Sequence, residues 1–458
     1  MALPNDHQIR AYREEARNLM PRYRHMLAEL VAHRSLPDDT DGLMACAQSL
    51  RDIMGSAGID ATIFPSGEAP IVLGRYRPAP ADQDRPGLLV YGHYDVQPAG
   101  DAASWSHPPF ELTEKSGRLY GRGTADDKGQ ILCHIAALEL LRARGQEPSA
   151  DLVFLFEGGG EVGSPGLAEF AASHRELLSA AVAFSADGPR RGLVPNLYLG
   201  ARGLLSLELE ITTARGDRHA GDYAGMWANP ALEMARLIDN LVGDQGECLV
   251  PGFHRNVRDP LASERALMER LPPPRDLDTG LTPADAYRRL LFHPVCNVSS
   301  IATGDPEPGG RSAVPATARA RIELRLVPDQ DPVRVLGLVN EFLKAKAPGV
   351  DVRVLASVPP SRTDPDLPEV RRMTDILRIT FDSNPSIYPM MTGIAPDHVF
   401  TRILGIPSLW VPYADRDRAS HAPDENLRVS SAISGIVTSA AVFTGLLHQI
   451  PPMGKDDQ

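Results

Sequence analysis

Several acidic residues and histidines of the chain stand where apolar segments end, and side chains of these types can hold metal ions. His93 and Asp95 close the apolar run GLLVYGHYDV, and Asp187 closes AAVAFSAD. Glu161 follows the run DLVFLFE and three glycines, and Asp126 lies in the glycine-rich segment GRGTADDKG. Taken singly, each has a plainer interpretation, such as a core histidine, a helix cap or a surface carboxylate. Together, carboxylates and imidazoles in this number favour zinc or manganese.

Two further features bear on such a site. His421, in the segment RASHAPDEN, adds a second imidazole. Because side chains two apart on a strand share a face, Asp95 is expected beside His93, where a carboxylate could accept the ring N–H that faces away from a metal. The segment GRGTADDKG lacks the Lys-Ser/Thr end of a phosphate-binding loop, so it does not indicate a nucleotide site.

The segments that carry these residues alternate between predicted strands and predicted helices. Apolar runs without polar alternation are typical of strands buried on both faces of a sheet. The strands are predicted near 61 and 71 and at 87–96, 151–158 and 180–187, and the helices at 6–33, 40–56, 129–144 and 167–178. This alternation predicts an α/β fold with a mostly parallel central sheet covered by helices. In such sheets ligands bind at the carboxyl ends of the strands.

A different pattern begins at about Gly203. There the segment SLELEITTA alternates polar and apolar residues, as a strand with one exposed face does. After it, helices are predicted at 230–241 and 332–345, and strands at 318–328 and 350–358. They indicate a smaller α+β domain over 203–358, after which the proline-rich segment PPSRTDPDLP leads back to the first pattern. We therefore predict that this domain is inserted into a catalytic domain built from 1–202 and 359–458.

Composition limits the partners and the compartment. The 458 residues include 59 acidic and 47 basic side chains, a formal net charge of −12, which disfavours nucleic acid and anionic membrane as main partners. Four widely spaced cysteines without a C-x-x-C pair argue against a disulfide framework and against a thiolate zinc site. The N-terminal segment lacks the apolar core of a signal peptide, and no apolar run approaches the roughly 20 residues of a membrane-spanning helix. A cytoplasmic protein is therefore expected.

Six motifs, in one order along the chain, resemble those of the M20 di-zinc peptidases, the family of carnosinase-like dipeptidases, glutamate carboxypeptidase, aminoacylase and succinyl-diaminopimelate desuccinylase. They are GHYDVQP, GRGTADDKG, FEGGGEVGSPG, SADG, DRHAGDYAG and SHAPDEN. The resemblance covers nearly the whole chain. It implies a zinc-peptidase catalytic domain with an inserted lid that is also the dimerisation domain, and hence a homodimer. It further implies a small peptide or an N-acyl amino acid as substrate.

The resemblance implies two metal sites that share Asp126 as a bridging ligand. His93 and Asp187 complete one site, and Glu161 and His421 complete the other. Two zinc ions are expected, with manganese or cobalt as alternatives.

Further roles follow from the same resemblance. Asp95 would orient the neighbouring histidine ring. His219, in DRHAGDYAG, matches a lid histidine that reaches the active site of the partner subunit, where it binds substrate and stabilises the tetrahedral oxyanion; a solvated loop histidine is the plainer interpretation. Arg325, in ELRLVP, matches an arginine associated with substrate carboxylates. The peptide bond between Asp126 and Asp127 would be cis.

Gly160 departs from the family pattern. The family carries a Glu-Glu pair in which the first glutamate is the catalytic base and the second ligates metal, whereas here the pair reads Gly160-Glu161. The ligand is retained and the base is absent, which predicts impaired hydrolysis because general acid–base help is worth about 10²–10⁴-fold. Glu157 could replace the base only if the three glycines fold it inward. The glycine is either natural or an engineered substitution.

A second departure lies at 389–398, which reads PMMTGIAPDH. Dipeptidase-like members carry Arg-x-Gly-Gly-Ser-Ile-Pro there and grip a substrate carboxylate with it, but only Gly393 and Pro396 match. Gly393 is therefore a candidate substrate contact, while the missing arginine and serine put a free C-terminal carboxylate on the substrate in doubt. Met390 and Met391 offer apolar surface there instead, or are ordinary core methionines.

The function expected from these residues is hydrolysis of an amide bond in a dipeptide or an N-acylated amino acid, impaired in this chain by Gly160. His219 would hold the oxyanion of the attacked carbonyl. One alternative is a non-catalytic protein that keeps the metals and binds a small amide or peptide ligand. Another is a different reaction at the same di-metal centre, with the base supplied by the substrate or by Glu157.

Overall fold

The computed structural model describes residues 3–65, 69–79, 85–192, 194–274, 280–304 and 311–447. Its α-helices are α1 (Asp6–Asn18), α2 (Met20–Ala32), α3 (Thr40–Ser56), α4 (Lys128–Ala143), α5 (Leu167–Ser173), α6 (Ala220–Tyr223), α7 (Pro230–Leu241), α8 (Ala262–Met268), α9 (Pro283–Phe292), α10 (Pro332–Lys346), α11 (Pro368–Phe381) and α12 (Val429–Gly445). Shorter 3-10 turns occupy Ala102–Ser104 and Gly160–Val162, and a π-helix spans Val399–Leu404. Among the described residues, no helix combines the length and the apolar character that a membrane crossing requires.

Its β-strands are β1 (Asp60–Phe64), β2 (Ile71–Tyr76), β3 (Gly87–His93), β4 (Thr113–Lys115), β5 (Arg118–Tyr120), β6 (Asp151–Glu157), β7 (Val182–Ser185), β8 (Asn196–Tyr198), β9 (Gly203–Thr212), β10 (Arg218–His219), β11 (Val295–Thr303), β12 (Ala313–Val314), β13 (Thr317–Leu326), β14 (Val350–Val358), β15 (Ser386–Tyr388), β16 (Ser408–Trp410) and β17 (Asn426–Arg428). Eight of them form the central sheet, in the order β1-β2-β6-β3-β7-β16-β8-β15. β3 lies parallel to β6 and β7, and β16 lies parallel to β7. The predicted α/β fold with a mostly parallel central sheet is confirmed.

The middle strands of this sheet are buried on both faces. Val90 and Phe154 lie in one apolar cluster, which α4 and α12 cover, and Tyr91 and Leu155 lie in a second cluster. Successive side chains of a strand point to opposite faces, so each strand contributes to both clusters. This double burial explains why β3 and β6 read as unbroken apolar runs in the sequence.

The helix predicted over 6–33 is in fact two helices. α1 ends at Asn18 and α2 begins at Met20, with Pro21 in the first turn of α2. Proline has no backbone N–H to donate and is tolerated in the first turn of a helix but not in its interior. The apolar residues keep their helical spacing across Leu19, which is why the sequence predicted one helix, but a new helix begins at Met20.

Residues 203–358 contain a separate antiparallel sheet of four strands, in the order β11-β13-β9-β14. β9 buries alternate side chains, as its sequence predicts, and residues of α7 and α10 share the apolar cluster of that buried face. By contrast, Met268 of α8 and Tyr287 of α9 join the second apolar cluster of the central sheet. The division into 1–202 with 359–458 and an inserted 203–358 remains a prediction.

Candidate metal centre

The five candidate ligands come from segments that meet near one edge of the central sheet. His93 is the last residue of β3, and Asp187 follows β7, its neighbour in the sheet. Glu161 lies in the helical turn after β6, on the other side of β3. Because these three strands are parallel, their carboxyl ends share an edge. Asp126 precedes α4, and His421 lies in the loop before β17.

Asp126 lies between two imidazoles. Its Oδ1 is 3.3 Å from Nε2 of His93, and its Oδ2 is 3.4 Å from Nε2 of His421. The same Nε2 of His421 is 3.2 Å from Oε2 of Glu161. The two oxygens of one carboxylate thus face one donor from a strand end and one from a distant loop, which is the arrangement a bridging ligand requires.

Asp187 lies on the His93 side of this cluster, together with a residue that the sequence analysis did not count as a ligand. Potential ligand atoms of His93, Asp127 and Asp187 all lie within 4.8 Å of one another. Oδ1 of Asp127 is buried and finds no hydrogen-bond partner among the residues that the structure describes. The peptide bond between Asp126 and Asp127 is cis, as the resemblance implies.

The position of Asp95 fits a role in orienting His93. β3 ends at His93, so Asp95 lies just beyond the strand rather than within it. Its Oδ1 is 3.1 Å from Nδ1 of the imidazole. Its two oxygens also accept the backbone N–H groups of Gly160 and Glu161, each at 2.9 Å. Asp95 therefore holds both the ring of one candidate ligand and the loop that carries another.

The pKa values show that the site concentrates negative charge. Burial and the charge of Asp126 raise the pKa of Asp187 to about 6. Hydrogen bonds to Asp126 and Glu161 raise the pKa of His421 to about 10. Burial opposes protonation of His93, yet hydrogen bonds to the neighbouring aspartates raise its pKa well above the ordinary value. A site that favours positive charge this strongly, with imidazole and carboxylate donors, fits two divalent metal ions.

Glu425, which the sequence analysis did not single out, shapes the loop that carries Asp126. Its carboxylate accepts the backbone N–H groups of Gly123, Ala125 and Asp126 at 3.1, 2.9 and 3.0 Å. It also pairs with Nη1 of Arg122 at 2.6 Å, and both charged side chains are buried. The signal for it was present in the motif SHAPDEN, which contains this glutamate beside the candidate ligand.

Other polar side chains around the ligands were also missed. Ser420 donates its hydroxyl to Oδ2 of Asp126 at 2.7 Å, and Nη2 of Arg418 lies 3.5 Å from the same oxygen. Arg418 in turn donates through Nε to Ser420. Gln97 donates to Oε2 of Glu161 at 3.0 Å. Three of these contacts join segments far apart in the sequence, which local patterns do not reveal.

The backbone at Gly160 approaches His93 closely. A Cβ atom at residue 160 would lie 2.6–2.9 Å from Cγ, Cβ and Cδ2 of that histidine. Any other residue at this position therefore requires the ring or the loop to shift. The absence of a side chain at Gly160 allows this close packing.

Among the described residues, the carboxylate of Glu157 forms a hydrogen bond with Tyr91 and none with a candidate ligand. Glu157 ends β6, is buried, and its Oε1 accepts a hydrogen bond from the hydroxyl of Tyr91 at 2.6 Å. Burial raises the pKa of its carboxyl group to about 7. Within the described residues, it belongs to neither group of potential metal ligands.

The remaining predicted site residues lie apart from the ligands of their own chain. The side chain of His219, on β10, is 68% exposed and lies 3.5 Å from Asp222. Arg325, on β13, pairs with Glu323 at 3.0 Å. Gly393 is exposed in the segment after β15. In the part of the chain that the structure describes, none of the three forms a hydrogen bond or ion pair with a candidate ligand, and their roles stay predictions.

Comparison with known proteins decides the family. The model of peptidase family M20/M25/M40 matches residues 89–449. The chain belongs to the M20 peptidases. It is 29% identical over 368 residues to a cysteinylglycine-S-conjugate dipeptidase of Corynebacterium striatum, which covers 77% of this chain and 79% of that protein. It is 25% identical over 436 residues to a β-Ala-His dipeptidase of Mus musculus, covering 88% of each.

Solved structures agree with this assignment. The M20 family metallo-carboxypeptidase Sso-CP2 from Sulfolobus solfataricus resembles this M20 chain with a TM-score of 0.86 and 26% identity, over 92% of this chain and 98% of that one. The predicted membership of the M20 family is thereby confirmed. The Bacillus subtilis YXEP protein, described as a dinuclear metal binding peptidase from the M20 family, shares the fold of this chain with a TM-score of 0.58 and 12% identity. Among the described residues of this chain, two groups of side chains could hold a metal ion. The identity of the metal stays a prediction.

Proposed function

We propose that this M20 chain is a metallohydrolase that cleaves the amide bond of a dipeptide or an N-acyl amino acid. The observation that carries the proposal is the position of Asp126, whose two carboxylate oxygens face His93 on one side and His421 on the other. The Corynebacterium and mouse relatives are dipeptidases by name, which supports the substrate class.

The chain provides for two neighbouring ions around Asp126. His93 and Asp187 would hold one, and Glu161 and His421 would hold the other. When bound, divalent ions supply Lewis acidity to the amide carbonyl and to the attacking water. Zinc suits this set of donors, with manganese or cobalt as alternatives.

Homodimerisation is part of the proposal. His219 is exposed, and within the described residues its recorded ion pair is with Asp222 and not with a candidate ligand. This exposure supports a role at the metal centre of a second subunit. There its imidazole would bind substrate and stabilise the oxyanion that forms as the carbonyl is attacked. The interface would lie in the inserted domain 203–358, whose outer strand β14 exposes Val354 and Leu355.

Two substrate contacts are proposed from their positions in the family pattern. Gly393 is exposed, so its backbone is open to a ligand. Arg325 is paired with Glu323, and this pair must open before the guanidinium binds a substrate carboxylate.

The cysteines support a cytoplasmic location. All four are free and buried, namely Cys46, Cys133, Cys248 and Cys296. Disulfides form and persist in oxidising compartments and are rare in the cytosol. We therefore propose that the protein works in the reducing cytoplasm.

Impaired hydrolysis is the finer part of the proposal. The position of the general base is occupied by Gly160, and Glu157 is engaged with Tyr91 rather than with the ligands. Without a carboxylate, proton transfer from water to the leaving amine loses a group worth about 10²–10⁴-fold. Gly160 equally favours a second candidate function, a non-catalytic protein that holds a small amide or peptide ligand at the same centre.

Metal analysis of Asp126→Ala tests the centre directly. We expect about two ions per chain in the unchanged protein, as in di-metal hydrolases, and nearly none in the variant. Asp222→Ala removes an exposed aspartate beside His219 and serves as the matched control, which should keep both ions. Full occupancy in Asp126→Ala would show that Asp126 is not the bridge.

A further inference from the structure

Arg191, in the connection between β7 and β8, has an unusual set of neighbours. Its guanidinium carbon lies 5.6 Å from the centre of the Tyr388 ring, and Nη2 donates a hydrogen bond to the hydroxyl of Thr392. The side chain is half-buried. In the described residues no carboxylate lies within 4.0 Å of it. Its partners are thus neutral, and its charge is not compensated by an acidic side chain.

The neighbouring Arg190 differs from Arg191 because it has an acidic partner. Arg190 pairs with Asp415 and also donates to Ser431. Its charge is therefore already used within the protein. Arg191 keeps a planar fork of donors, and this geometry matches a carboxylate.

Arg191 also lies on the metal-ligand side of the sheet. It follows Asp187 by four residues, and the carbonyl of Pro189 between them accepts the hydroxyl of Tyr198. The backbone N–H of Arg191 donates to Oδ1 of Asn196, the first residue of β8. β8 runs antiparallel to β16, and β16 runs parallel to β7. The start of β8, and Arg191 with it, therefore lies at the edge of the sheet where β7 ends and Asp187 follows.

The hydrogen bond to Thr392 brings Arg191 against a segment that the sequence analysis singled out. Thr392 belongs to PMMTGIAPDH, the stretch at 389–398 in which the family's carboxylate-binding arginine and serine are missing. A cation from a different part of the sequence thus lies against the segment that lacks one. The tyrosine ring below and the threonine hydroxyl beside it fix the guanidinium, so little side-chain entropy is lost when a ligand binds.

We propose that Arg191 binds the free C-terminal carboxylate of the substrate. This inference rests on the proposed function and narrows it, since it favours dipeptides and N-acyl amino acids with a free carboxylate over amides and esters. Arg191 is thus a substrate-binding residue, and in the described part of the chain it forms no hydrogen bond or ion pair with a candidate metal ligand.

Calorimetric binding to the metal-loaded protein tests this inference without relying on turnover. The probes are alanyl-glycine and alanyl-glycinamide, which differ only in the C-terminal group. We expect the unchanged protein to bind the acid about tenfold to a hundredfold more tightly than the amide, as a charge-assisted hydrogen-bonded pair provides. Arg191→Gln should remove that preference, Arg191→Lys should retain part of it, and metal content should not change.

The control is Arg190→Gln, which removes the same charge one residue earlier and should keep the preference for the acid. Thermal unfolding of each variant shows whether it is folded. Equal binding of acid and amide by the unchanged protein, or a preference that survives Arg191→Gln, would overturn the inference and leave the proposed function standing. If neither probe nor any other dipeptide binds the metal-loaded protein, the proposed function fails, and the inference fails with it.

Discussion

Gly160 stands where we propose that a general base is missing, and its backbone lies close to the ring of His93. Gly160→Glu and Gly160→Gln place side chains of equal size there, but only the glutamate can take a proton. Both require the same shift of the histidine ring, so their difference isolates the carboxylate. We expect the glutamate variant to hydrolyse an accepted dipeptide about 10²–10⁴-fold faster than the glutamine variant. Steady-state rates per bound metal ion check this expectation.

Two other outcomes of the same comparison are informative. Equal rates in both variants, and in the unchanged protein, would place the base elsewhere in the site. Binding of the dipeptide without hydrolysis in any version would favour the non-catalytic binding protein. Metal analysis of each preparation separates these outcomes from a loss of ions caused by moving His93.

Glu157 gives the protein a pH-dependent stability. Burial raises its pKa from 4.5 to about 7 in the folded protein. Between these values the folded state binds more protons than the unfolded state, so the free energy of unfolding falls as pH rises. The full effect is on the order of 3 kcal/mol. Glu157→Gln keeps an acceptor for the hydroxyl of Tyr91 and removes the titration.

Denaturant unfolding at pH 5 and pH 8 measures this contribution. We expect the unchanged protein to lose more stability across the interval than Glu157→Gln does, since all other groups are common to both. Equal losses would mean that Glu157 is not held neutral by burial. The variant should also retain whatever hydrolysis the unchanged protein shows, because its carboxyl group faces Tyr91; abolished activity would identify Glu157 as the missing base.

The loop before α4 is stabilised by the carboxylate of Glu425, which lies in the segment before β17. Glu425 accepts three backbone N–H groups of this loop and pairs with buried Arg122. Glu425→Gln leaves that arginine without a countercharge, which costs about 3–5 kcal/mol when the pair is buried. We expect this loss in denaturant unfolding, together with weaker metal retention because the loop carries Asp126.

The inserted sheet offers a matched control for this pair. Glu210 on β9 pairs with Arg319 on β13 at 2.8 Å, but both side chains are solvent-accessible. Glu210→Gln should cost less than about 1 kcal/mol, because exposed ion pairs contribute little. Similar losses in the two variants would show that burial of Glu425 is not what stabilises the loop.

The whole molecule is expected to act as a dimer. Sedimentation at micromolar concentration should give twice the 49.6 kDa of one chain. His219→Ala should leave this mass and the metal content unchanged and lower hydrolysis about 10²–10³-fold, as loss of an oxyanion donor does. A single 49.6 kDa species would remove both the dimer and the role of His219 in a second subunit.

The classes of the helices and strands, and the order of the candidate ligands along the chain, were predictable from the amino-acid pattern. Unbroken apolar runs predicted the buried strands β3 and β6, because a strand covered on both faces has no polar side to show. Regular alternation of polar and apolar residues predicted β9, because only one face of that strand is buried. Asp126 and His421 were predicted as neighbours at one site by the resemblance of the motifs to a known family and not by local spacing, because the two residues lie far apart in the chain.

The orientations of individual side chains, and the contacts between segments far apart in the sequence, became known from the three-dimensional structure. It directs Glu157 to Tyr91, places Asp127 beside Asp187, and seats Arg191 against the segment that lacks an arginine. Each of these contacts joins residues on different strands or loops, or depends on a backbone direction set by packing. Such contacts depend on how the sheet, its helices and its loops pack together. A local pattern of residue types predicts which face of a strand is buried, but not which distant segment packs against it.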